Sequence, residues 1–264
     1  MPKLKRTEEE KQARGGAEFI ESLDRGLRVL QSFGIERRPM TLSDIAKTAS
    51  LPRATVRRIL MTLQQTGFVA GDERLFSLTP RVLLLASAYL TSNQISTVLQ
   101  PLMDDVSAKA REVCSVAILD DSDVVFIARS SPTRIFSTGL DIGYRLPAFC
   151  TSVGRVLLGR LANEELTAAI NGMSLAAQTP GTLLDKPTLI ATIMTDRTKG
   201  YSLVDREAEE GFRSISVPLR RYDGTIVAAA NIGAHVDRIT TGEMIDRFLP
   251  LLKDLSAAAR PLLV

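Results

Sequence analysis

Two short helices separated by a tight break are the feature of this sequence that most constrains its fold. Thr41 and Asp44 have the spacing of a capping box, in which each side chain bonds the other residue's backbone amide, so a helix is predicted over about residues 42–49. After the break, Pro52 takes a favourable first-turn position in a second helix that extends to about residue 66. The sequence therefore predicts two consecutive helices joined by a short turn.

The second of these helices has one apolar face and one basic face. Its apolar residues recur at steps of three and four, as in a buried stripe: Val56, Ile59, Leu60 and Leu63. Arg57 and Arg58 project from the opposite face. A hairpin is predicted next, with a strand on either side of the turn at residues 71–73.

A further helix is predicted before this pair, from Phe19 to Phe33, where Gly34 ends it. Its apolar stripe comprises Ile20, Leu23, Leu27, Leu30 and Phe33. Three helices followed by a two-stranded hairpin make up a winged helix-turn-helix, so this is the fold expected of the N-terminal part of the chain.

The basic helix suits the major groove of DNA, which is about 12 Å wide and admits one helix. Up to Leu90 the chain has 15 Lys and Arg against 10 Asp and Glu, whereas the remainder has 18 against 20. The candidate DNA-contacting residues are Thr41, Arg53, Ala54, Thr55, Arg57 and Arg58. The alternative is a protein-interaction module with a solvated basic face.

An amphipathic helix rich in leucine follows the hairpin and is predicted to end near Ser92 and Asn93. Its pattern is Val82, Leu84, Leu85, Ala88 and Tyr89, which fits either a domain core or pairing with a second copy of the chain. One winged helix reads only a few base pairs, so a homodimer or a dimer of dimers on a double-stranded inverted-repeat operator is expected.

The C-terminal part is predicted to be an α+β domain built on an antiparallel sheet. A helix over about residues 95–111 precedes one hairpin, and Asp223-Gly224 marks the turn of a second. Thr240 and Glu243 form another capping box, which begins a terminal helix. That helix carries a stripe interrupted by Pro250 and formed by Ile245, Phe248, Leu252 and Leu255. The expected organisation is a flexible arm at 1–17, a winged helix-turn-helix at 18–79, a linker helix at 80–93 and the α+β domain at 94–264.

Several kinds of site lack support in the sequence. Cys114, Cys150 and His235 are the only thiols and imidazole, fewer than the four ligands of a typical structural zinc site, and no phosphate-binding glycine motif occurs. No metal or cofactor is therefore expected. No run of about 18 apolar residues marks a membrane span, and the charged start lacks a signal peptide's apolar segment. A cytoplasmic location without membrane contact is expected.

The chain from Phe19 to its C-terminus resembles the IclR family of bacterial transcription regulators. The segments that carry the resemblance are SLDRGLRVLQSF at 22–33, LPRATVRRILMTL at 51–63, GYRLPAFCTSVGRVLLG at 143–159 and SLVDREAEEGFRSISVPL at 202–219. Within the family, the chain is most similar to the subgroup that controls protocatechuate and 4-hydroxybenzoate breakdown by the β-ketoadipate pathway. The resemblance implies a GAF-like effector domain, with helices flanking its antiparallel sheet, and a small carboxylate effector from that pathway.

The resemblance also implies a set of effector-pocket residues. They are Ile135, Thr138, Leu146, Ser152, Val153, Asp205, Phe212, Ser214, Asn231 and Gly233. Independently, Thr151 has the character of an N-cap, so the amides of Ser152, Val153 and Gly154 are expected to point outward and hold a carboxylate. Two positions depart from the subgroup: Glu210 replaces its usual leucine, and Arg206 stands where an acidic residue is common.

An enzyme is the competing functional class. Asp205, Glu207, Glu209 and Glu210 crowd one segment, and paired carboxylates can assist hydrolysis of a small acid. In that alternative the helical N-terminal part is only structural. The basic helix and the resemblance favour a non-enzymatic regulator.

Overall fold

The computed structural model describes residues 19–36, 38–72, 74–92, 95–132 and 142–263, with the backbone alone at 35–36 and 90–92. The chain divides into two compact units, one ending at Ser92 and the other beginning at Asn93. The arm expected at residues 1–17 lies outside the described residues.

The first unit contains the expected winged helix-turn-helix. Its elements are α1 (Glu21–Glu36), α2 (Leu42–Thr48), α3 (Arg53–Gln65), β1 (Val69–Gly71) and β2 (Phe76–Leu78). The two strands are antiparallel, with Val69 opposite Leu78. Met40 exchanges two backbone hydrogen bonds of 2.9 Å with Phe76, so the wing is tied to the chain just before α2.

The core of this unit comes from the inward faces of the three helices and the hairpin. Its larger members are Val29, Phe33, Met40, Ile45, Val56, Leu60, Val69 and Phe76. Val56 and Leu60 are four residues apart on α3, which is why the side chains between them at 57 and 58 are left exposed. The predicted stripe on this helix is confirmed.

Two predictions for α1 are wrong. The helix passes through Gly34 and ends at Glu36, because one glycine costs a helix only about 1 kcal/mol. The predicted stripe is only in part the buried face: Leu30 and Phe33 pack in the core, whereas Ile20, Leu23 and Leu27 are exposed and Val29, outside the stripe, is buried. The outer part of the apolar pattern on α1 therefore remains on the surface of the first unit.

A turn of 3₁₀-helix, Pro80–Val82, leads into α4 (Leu83–Ser92). This is the expected linker helix, and the contacts group it with the first unit. It is not one-faced as expected: Leu83, Leu84 and Leu85 point in successive directions around the helix, and each is more than half exposed. The described part of α4 thus presents apolar surface on several sides.

The second unit is built on a six-stranded antiparallel sheet, in the order β5-β4-β3-β8-β7-β6. Its strands are β3 (Val113–Asp120), β4 (Asp123–Ser130), β5 (Arg145–Pro147), β6 (Ser202–Asp205), β7 (Phe212–Arg220) and β8 (Ile226–His235). Both predicted hairpins are present, as β3–β4 and β7–β8. The predicted α+β fold with an antiparallel sheet is confirmed.

Helices cover both faces of this sheet. They are α5 (Ile95–Ala110), α6 (Ser152–Leu158), α7 (Asn163–Gly172), α8 (Lys186–Lys199), α9 (Thr241–Glu243) and α10 (Leu249–Ala259). One core, with α5 and α10, includes Met103, Ile215 and Leu252. The other, with α6, α7 and α8, includes Val153 and Ile193. The two faces can be told apart along β7, where Ile215 points to the first core.

The C-terminal helix departs from its predicted stripe. The capping box of Thr240 and Glu243 is present, but a π-helical turn, Met244–Phe248, separates α9 from α10. That turn holds one more residue than an α-turn, so Met244 is buried and Ile245 is exposed. Pro250 falls in the first turn of α10, where its missing amide costs no hydrogen bond.

Candidate functional site

The candidate DNA-contacting residues of α3 lie together on its outer surface. Arg53, Ala54, Arg57 and Arg58 are exposed and Thr55 is half-buried. Pro52 caps the helix without a side-chain hydrogen bond, and Ser50 adopts a left-handed φ of 51° in the preceding turn. The first turn of α3 therefore projects from the unit with its small and basic side chains accessible.

Thr41 has an internal role in the same motif. Its hydroxyl donates to Asp44 Oδ2 over 2.9 Å and accepts from the Asp44 amide over 3.2 Å. The hydroxyl bond to Oδ2, and next the Thr41 amide that donates to the same oxygen over 3.3 Å, lower the pKa of the Asp44 carboxyl. Thr41 thus fixes the start of α2, and its hydroxyl, amide and carbonyl all have partners within the motif.

The turn of the wing is fixed by its own carboxylate. Asp72 Oδ1 accepts from the amides of Arg74 and Leu75, each over 2.9 Å, and these bonds lower the pKa of Asp72. At Gly71, φ is 157° and an added Cβ would meet the Leu75 carbonyl oxygen at 2.2 Å. The close approach of the two strands therefore requires glycine at this position.

In the second unit, three serine hydroxyls meet between α6 and the sheet. Ser152, the first residue of α6, lies 2.7 Å from Ser214 and 2.6 Å from Ser216 between Oγ atoms. Ser152 and Ser216 are fully buried, whereas Ser214 is half-buried. Strand alternation places Ser214 and Ser216 on the face opposite the Ile215 core.

One hydroxyl proton of this cluster is not used in the hydrogen bonds among its three serines. Each serine hydroxyl supplies one donor, and the two hydrogen bonds among the three groups use two of the three protons. The third proton is available to a group outside the cluster. Since Ser214 is the most accessible member, the cluster can donate a hydrogen bond to an anion placed beside it.

A row of polar residues crosses the same face of the sheet. Directly paired positions run from Arg129 through Ser115, Asn231 and Ser216 to Ser202. Ser202 is occupied, because its hydroxyl donates to Asp196 Oδ2 over 2.6 Å. Burial is the leading cause that raises the pKa of that aspartate.

Asn231 is the member of this row whose side-chain oxygen lacks a hydrogen bond from the described residues. Its side chain is more than nine-tenths buried, and no hydrogen-bond partner among the described residues reaches its Oδ1. Its Nδ2 lies 3.9 Å from the place a Cβ would take at Gly233, so the amide leans along β8 towards Gly233, which pairs with Ser214. Asn231, Gly233 and the hydroxyl cluster therefore border one region.

The expected outward orientation of all three α6 amides is corrected. Thr151 is the N-cap, as predicted, but its hydroxyl takes the Gly154 amide over 3.2 Å. A Cβ at Gly154 would lie 2.0 Å from the Ala148 carbonyl oxygen, so glycine is needed there for packing. The Val153 side chain belongs to the core. Ser152 is the residue of this turn that reaches the polar face.

Asp205 lies on the face of the sheet opposite the serine cluster, whereas Phe212 lies on the same face. Asp205 Oδ1 forms a 3.0 Å ion pair with Arg213 Nε, although the N–H does not point at the oxygen. Arg213 also donates to the carbonyl of Ile239, which belongs to the Ile215 core, so this pair is on the other face of the sheet. Phe212 shares the face of Ser214 and is partly exposed, with its ring 5.9 Å from the ring of His235.

The other predicted pocket and catalytic residues contact groups outside the serine cluster or lie outside the described residues. Leu146 on β5 packs, partly buried, against the core that contains Val153. Ile135 and Thr138 lie outside the described residues. Glu207, one of the carboxylates considered for hydrolysis, is held by Arg155 in a 2.7 Å ion pair.

The two thiols are unsuited to act as nucleophiles. Burial raises the pKa of Cys114 to about 12 and that of Cys150 to about 11. Both therefore stay protonated at neutral pH, and the thiolate is the reactive form. The described residues contain no group of three or more side chains able to hold a metal ion. None of the helices in the described ranges has the length and apolar character needed to cross a bilayer.

A winged helix-turn-helix combined with a polar region on a helix-covered sheet is typical of a ligand-responsive DNA-binding regulator. Two family models match the chain accordingly: the IclR helix-turn-helix domain at residues 22–73, and the bacterial transcriptional regulator IclR C-terminal domain at residues 87–260. The chain belongs to the IclR family of transcriptional regulators, whose members are regulators rather than enzymes.

Individual relatives agree with this assignment. The chain is 41% identical over 239 residues to the Pca regulon regulatory protein of Pseudomonas putida, spanning 90% of this chain and 82% of that protein. It is 34% identical over 250 residues to the p-hydroxybenzoate hydroxylase transcriptional activator of Acinetobacter baylyi, spanning 93% and 92%.

A solved structure resembles the second unit. It is a double mutant of the PobR inducer-binding domain from Acinetobacter in complex with 3-hydroxybenzoic acid. The TM-score is 0.61 at 32% identity, and the match covers 64% of this chain and 98% of that one.

Sequence reasoning missed two parts of the site. Ser216 bonds Ser152 as closely as Ser214 does, and its position two residues further along a strand already indicated the same face. The buried pair of Arg155 and Glu207 was missed because the two residues are 52 positions apart and nothing in their local patterns links them.

Proposed function

We propose that the second unit of this regulator binds a small acid from aromatic-ring degradation: 4-hydroxybenzoate, protocatechuate or the dicarboxylate β-ketoadipate. The names of the two relatives support that pathway, and the similar PobR domain holds a hydroxybenzoic acid. The acid is the signal to which the DNA-binding function responds.

The observation that carries this proposal is the cluster of Ser152, Ser214 and Ser216. Its spare proton and the amides of Ser152 and Val153, without the Gly154 amide that Thr151 occupies, give an anionic head group two kinds of donor. Hydrogen bonds to an ionised acceptor are stronger than neutral ones, so a carboxylate is favoured over an amide or alcohol of the same shape.

The other proposed pocket residues surround this carboxylate position. Phe212 and Leu146 bound the apolar part of the ligand, while Gly233 leaves room beside Ser214. Ile135 and Thr138 belong to the same proposed set. Val153 and Gly154 have internal partners in the structure and act, in this proposal, by shaping the walls. Asp205 is paired with Arg213 on the opposite face of the sheet, so its part in this proposal is to hold β6 beside β7.

The first unit, we propose, inserts α3 into the major groove. Arg53, Arg57 and Arg58 contact phosphates or guanine edges, and the small residues Ala54 and Thr55 allow close approach. Thr41 contributes by fixing the start of α2, the helix that precedes α3. Two such units in a homodimer, or four in a dimer of dimers, match an inverted-repeat operator in the bacterial cytoplasm.

The effector acts by population shift. A ligand changes the preferred arrangement of the DNA-binding units only to the extent that it binds one arrangement more tightly than another. The DNA affinity measured with and without the acid therefore reports the coupling free energy directly.

Calorimetry on the full chain tests the effector site. Ser152→Phe should abolish the binding heat of 4-hydroxybenzoate, because a phenyl group at this fully buried position fills the space beside Ser214. DNA affinity without the acid should be unchanged.

Thr195→Phe is the control, since it adds the same ring at an exposed position on α8. Its binding heat should equal that of the parent protein. If Ser152→Phe binds the acid as tightly as the parent does, the effector site lies elsewhere.

A further inference from the structure

Asn231 places an unpaired acceptor in the interior of the second unit. Buried polar atoms in folded proteins are almost always hydrogen-bonded, since each unsatisfied group costs the desolvation it has undergone. Asn231 Oδ1 has no such bond from any described residue. An amide oxygen only accepts, so the missing partner must be a donor.

The position of this acceptor relative to the serine cluster is fixed by the strand register. Ser214 pairs with Gly233, and Asn231 is two residues along β8 on the same face, which makes it the diagonal neighbour of Ser214. Diagonal neighbours on adjacent antiparallel strands are about 7–8 Å apart. A para-substituted ring lying over these two positions can therefore present its carboxylate to Ser214 and its other substituent to Asn231.

We infer that Asn231 selects the effector by its hydroxyl group: Oδ1 accepts a hydrogen bond from a ring hydroxyl while the carboxylate occupies the serine end. This inference rests on the proposed function and narrows it. 4-Hydroxybenzoate and protocatechuate bring the donor, whereas benzoate and β-ketoadipate bring none and leave Oδ1 buried and unpaired.

The neighbours of Asn231 support a ligand as the source of the donor. Ser216, paired with Asn231 on one side, has its hydroxyl 2.6 Å from Ser152. On the other side Asn231 pairs with Ser115, next to Arg129 in the row. Gly233, the next residue on this face of β8, has no side chain to cover the amide. The Asn231 amide group is thus held on a strand beside a position that no side chain covers.

Competition between matched acids tests the inference in the full-length protein. Calorimetry should show 4-hydroxybenzoate binding at least about tenfold more tightly than 4-fluorobenzoate or benzoate, since one hydrogen bond to a buried acceptor is at stake. 4-Fluorobenzoate preserves the size of the ring substituent and removes only the donor.

Variants then assign the preference to Asn231. Asn231→Leu removes the acceptor at similar volume, and Asn231→Ala does so without added bulk, which guards against misfolding of the first. Both should bind 4-hydroxybenzoate and benzoate equally, mainly through weaker binding of the hydroxylated acid. Ser115→Ala, which changes the other neighbour in the row, should retain the preference.

The outcomes distinguish hydroxyl selection by Asn231 from acid binding by the second unit. If the parent protein binds 4-fluorobenzoate as tightly as 4-hydroxybenzoate, or if both Asn231 variants keep the preference, the hydroxyl inference is overturned and the acid-binding function stands. If β-ketoadipate alone binds, the inference fails and the proposed function stands. If 4-hydroxybenzoate, protocatechuate and β-ketoadipate all fail to bind, the proposed function fails and the inference fails with it.

Discussion

Arg155 is a charged side chain in the interior of the second unit, with only 3% of its surface exposed. Its Nη2 lies 2.7 Å from Glu207 Oε2, and its Nε donates to the Phe149 carbonyl over 3.0 Å. The same carboxylate oxygen of Glu207 accepts from the Leu183 amide over 3.0 Å. One ion pair therefore joins three segments: the helix that carries Ser152, the chain between β6 and β7, and the chain before α8.

Removing one charge of this pair should lower the free energy of unfolding more than replacing both residues by apolar ones. Glu207→Gln leaves the Arg155 guanidinium buried without a counter-charge, so the free energy of unfolding should fall by about 3 kcal/mol. Arg155→Met combined with Glu207→Leu should recover most of this loss, because apolar packing replaces both charges. Urea unfolding of the full chain, followed by a probe in the second unit, measures both effects.

The exposed pair of Lys109 and Asp105 on α5 provides the comparison. Its N–O distance is 2.6 Å, but both side chains are more than half exposed, and Lys109→Gln should change stability by less than about 1 kcal/mol. If Lys109→Gln and Glu207→Gln lower the free energy of unfolding equally, the buried pair of Arg155 and Glu207 contributes no more to stability than an exposed pair does, and the prediction is wrong.

At the scale of the element, α3 offers a direct test of DNA recognition. The double change Arg57→Ala and Arg58→Ala removes two exposed charges and leaves Val56 and Leu60 in place, so the helix should stay folded. Operator affinity should fall, and each lost phosphate contact should reduce the slope of log affinity against log salt by about one. A lost base contact should instead cost roughly 1 to 3 kcal/mol at one operator position.

A control variant that loses the same charge elsewhere distinguishes direct DNA contacts of α3 from general electrostatic attraction to DNA. Arg160→Ala with Arg221→Ala removes two exposed charges from the second unit. Fluorescence anisotropy over a salt series compares both proteins on one operator. Full affinity in the α3 double variant would refute the assignment of α3 as the recognition helix.

The elements that sequence predicted well are those fixed by local chemistry. Thr41 with Asp44, and Thr240 with Glu243, begin helices where their spacing indicated, because a capping box involves residues three positions apart. The stripe of α3 was equally clear. On α1, however, apolar residues occupy both the buried and the exposed side, so periodicity alone did not identify the face that packs.

The candidate site was less predictable because its contacts are long-range. Strand alternation could place Ser214 and Ser216 on one face, but their bonds to Ser152 join residues more than 60 positions apart. The unpaired state of Asn231 depends on every neighbour at once. The short strands β5 and β6 and the helices α7 and α8 were not predicted, and β6 lies at the edge beside β7.

At the scale of the whole molecule, the first unit has apolar surface that no described neighbour covers. On α4, Leu83, Leu84 and Leu85 are 64%, 66% and 58% exposed. On α1, Leu23 and Leu27 are also exposed. Large exposed apolar areas mark interaction sites in soluble proteins, and the inverted-repeat operator proposed above calls for a second copy of the same chain. These leucines are therefore expected to pair two chains.

Leu84→Glu combined with Leu85→Glu should convert the assembly to monomers, because charges buried at the interface would lose their hydration without gaining partners. Light scattering gives the mass directly, and operator affinity should fall as the two half-sites are bound independently. Leu184→Glu with Tyr222→Glu introduces the same charge at exposed apolar positions of the second unit, and that protein should keep its mass and its affinity. A parent-sized assembly in the α4 variant would move the dimer contact away from this helix.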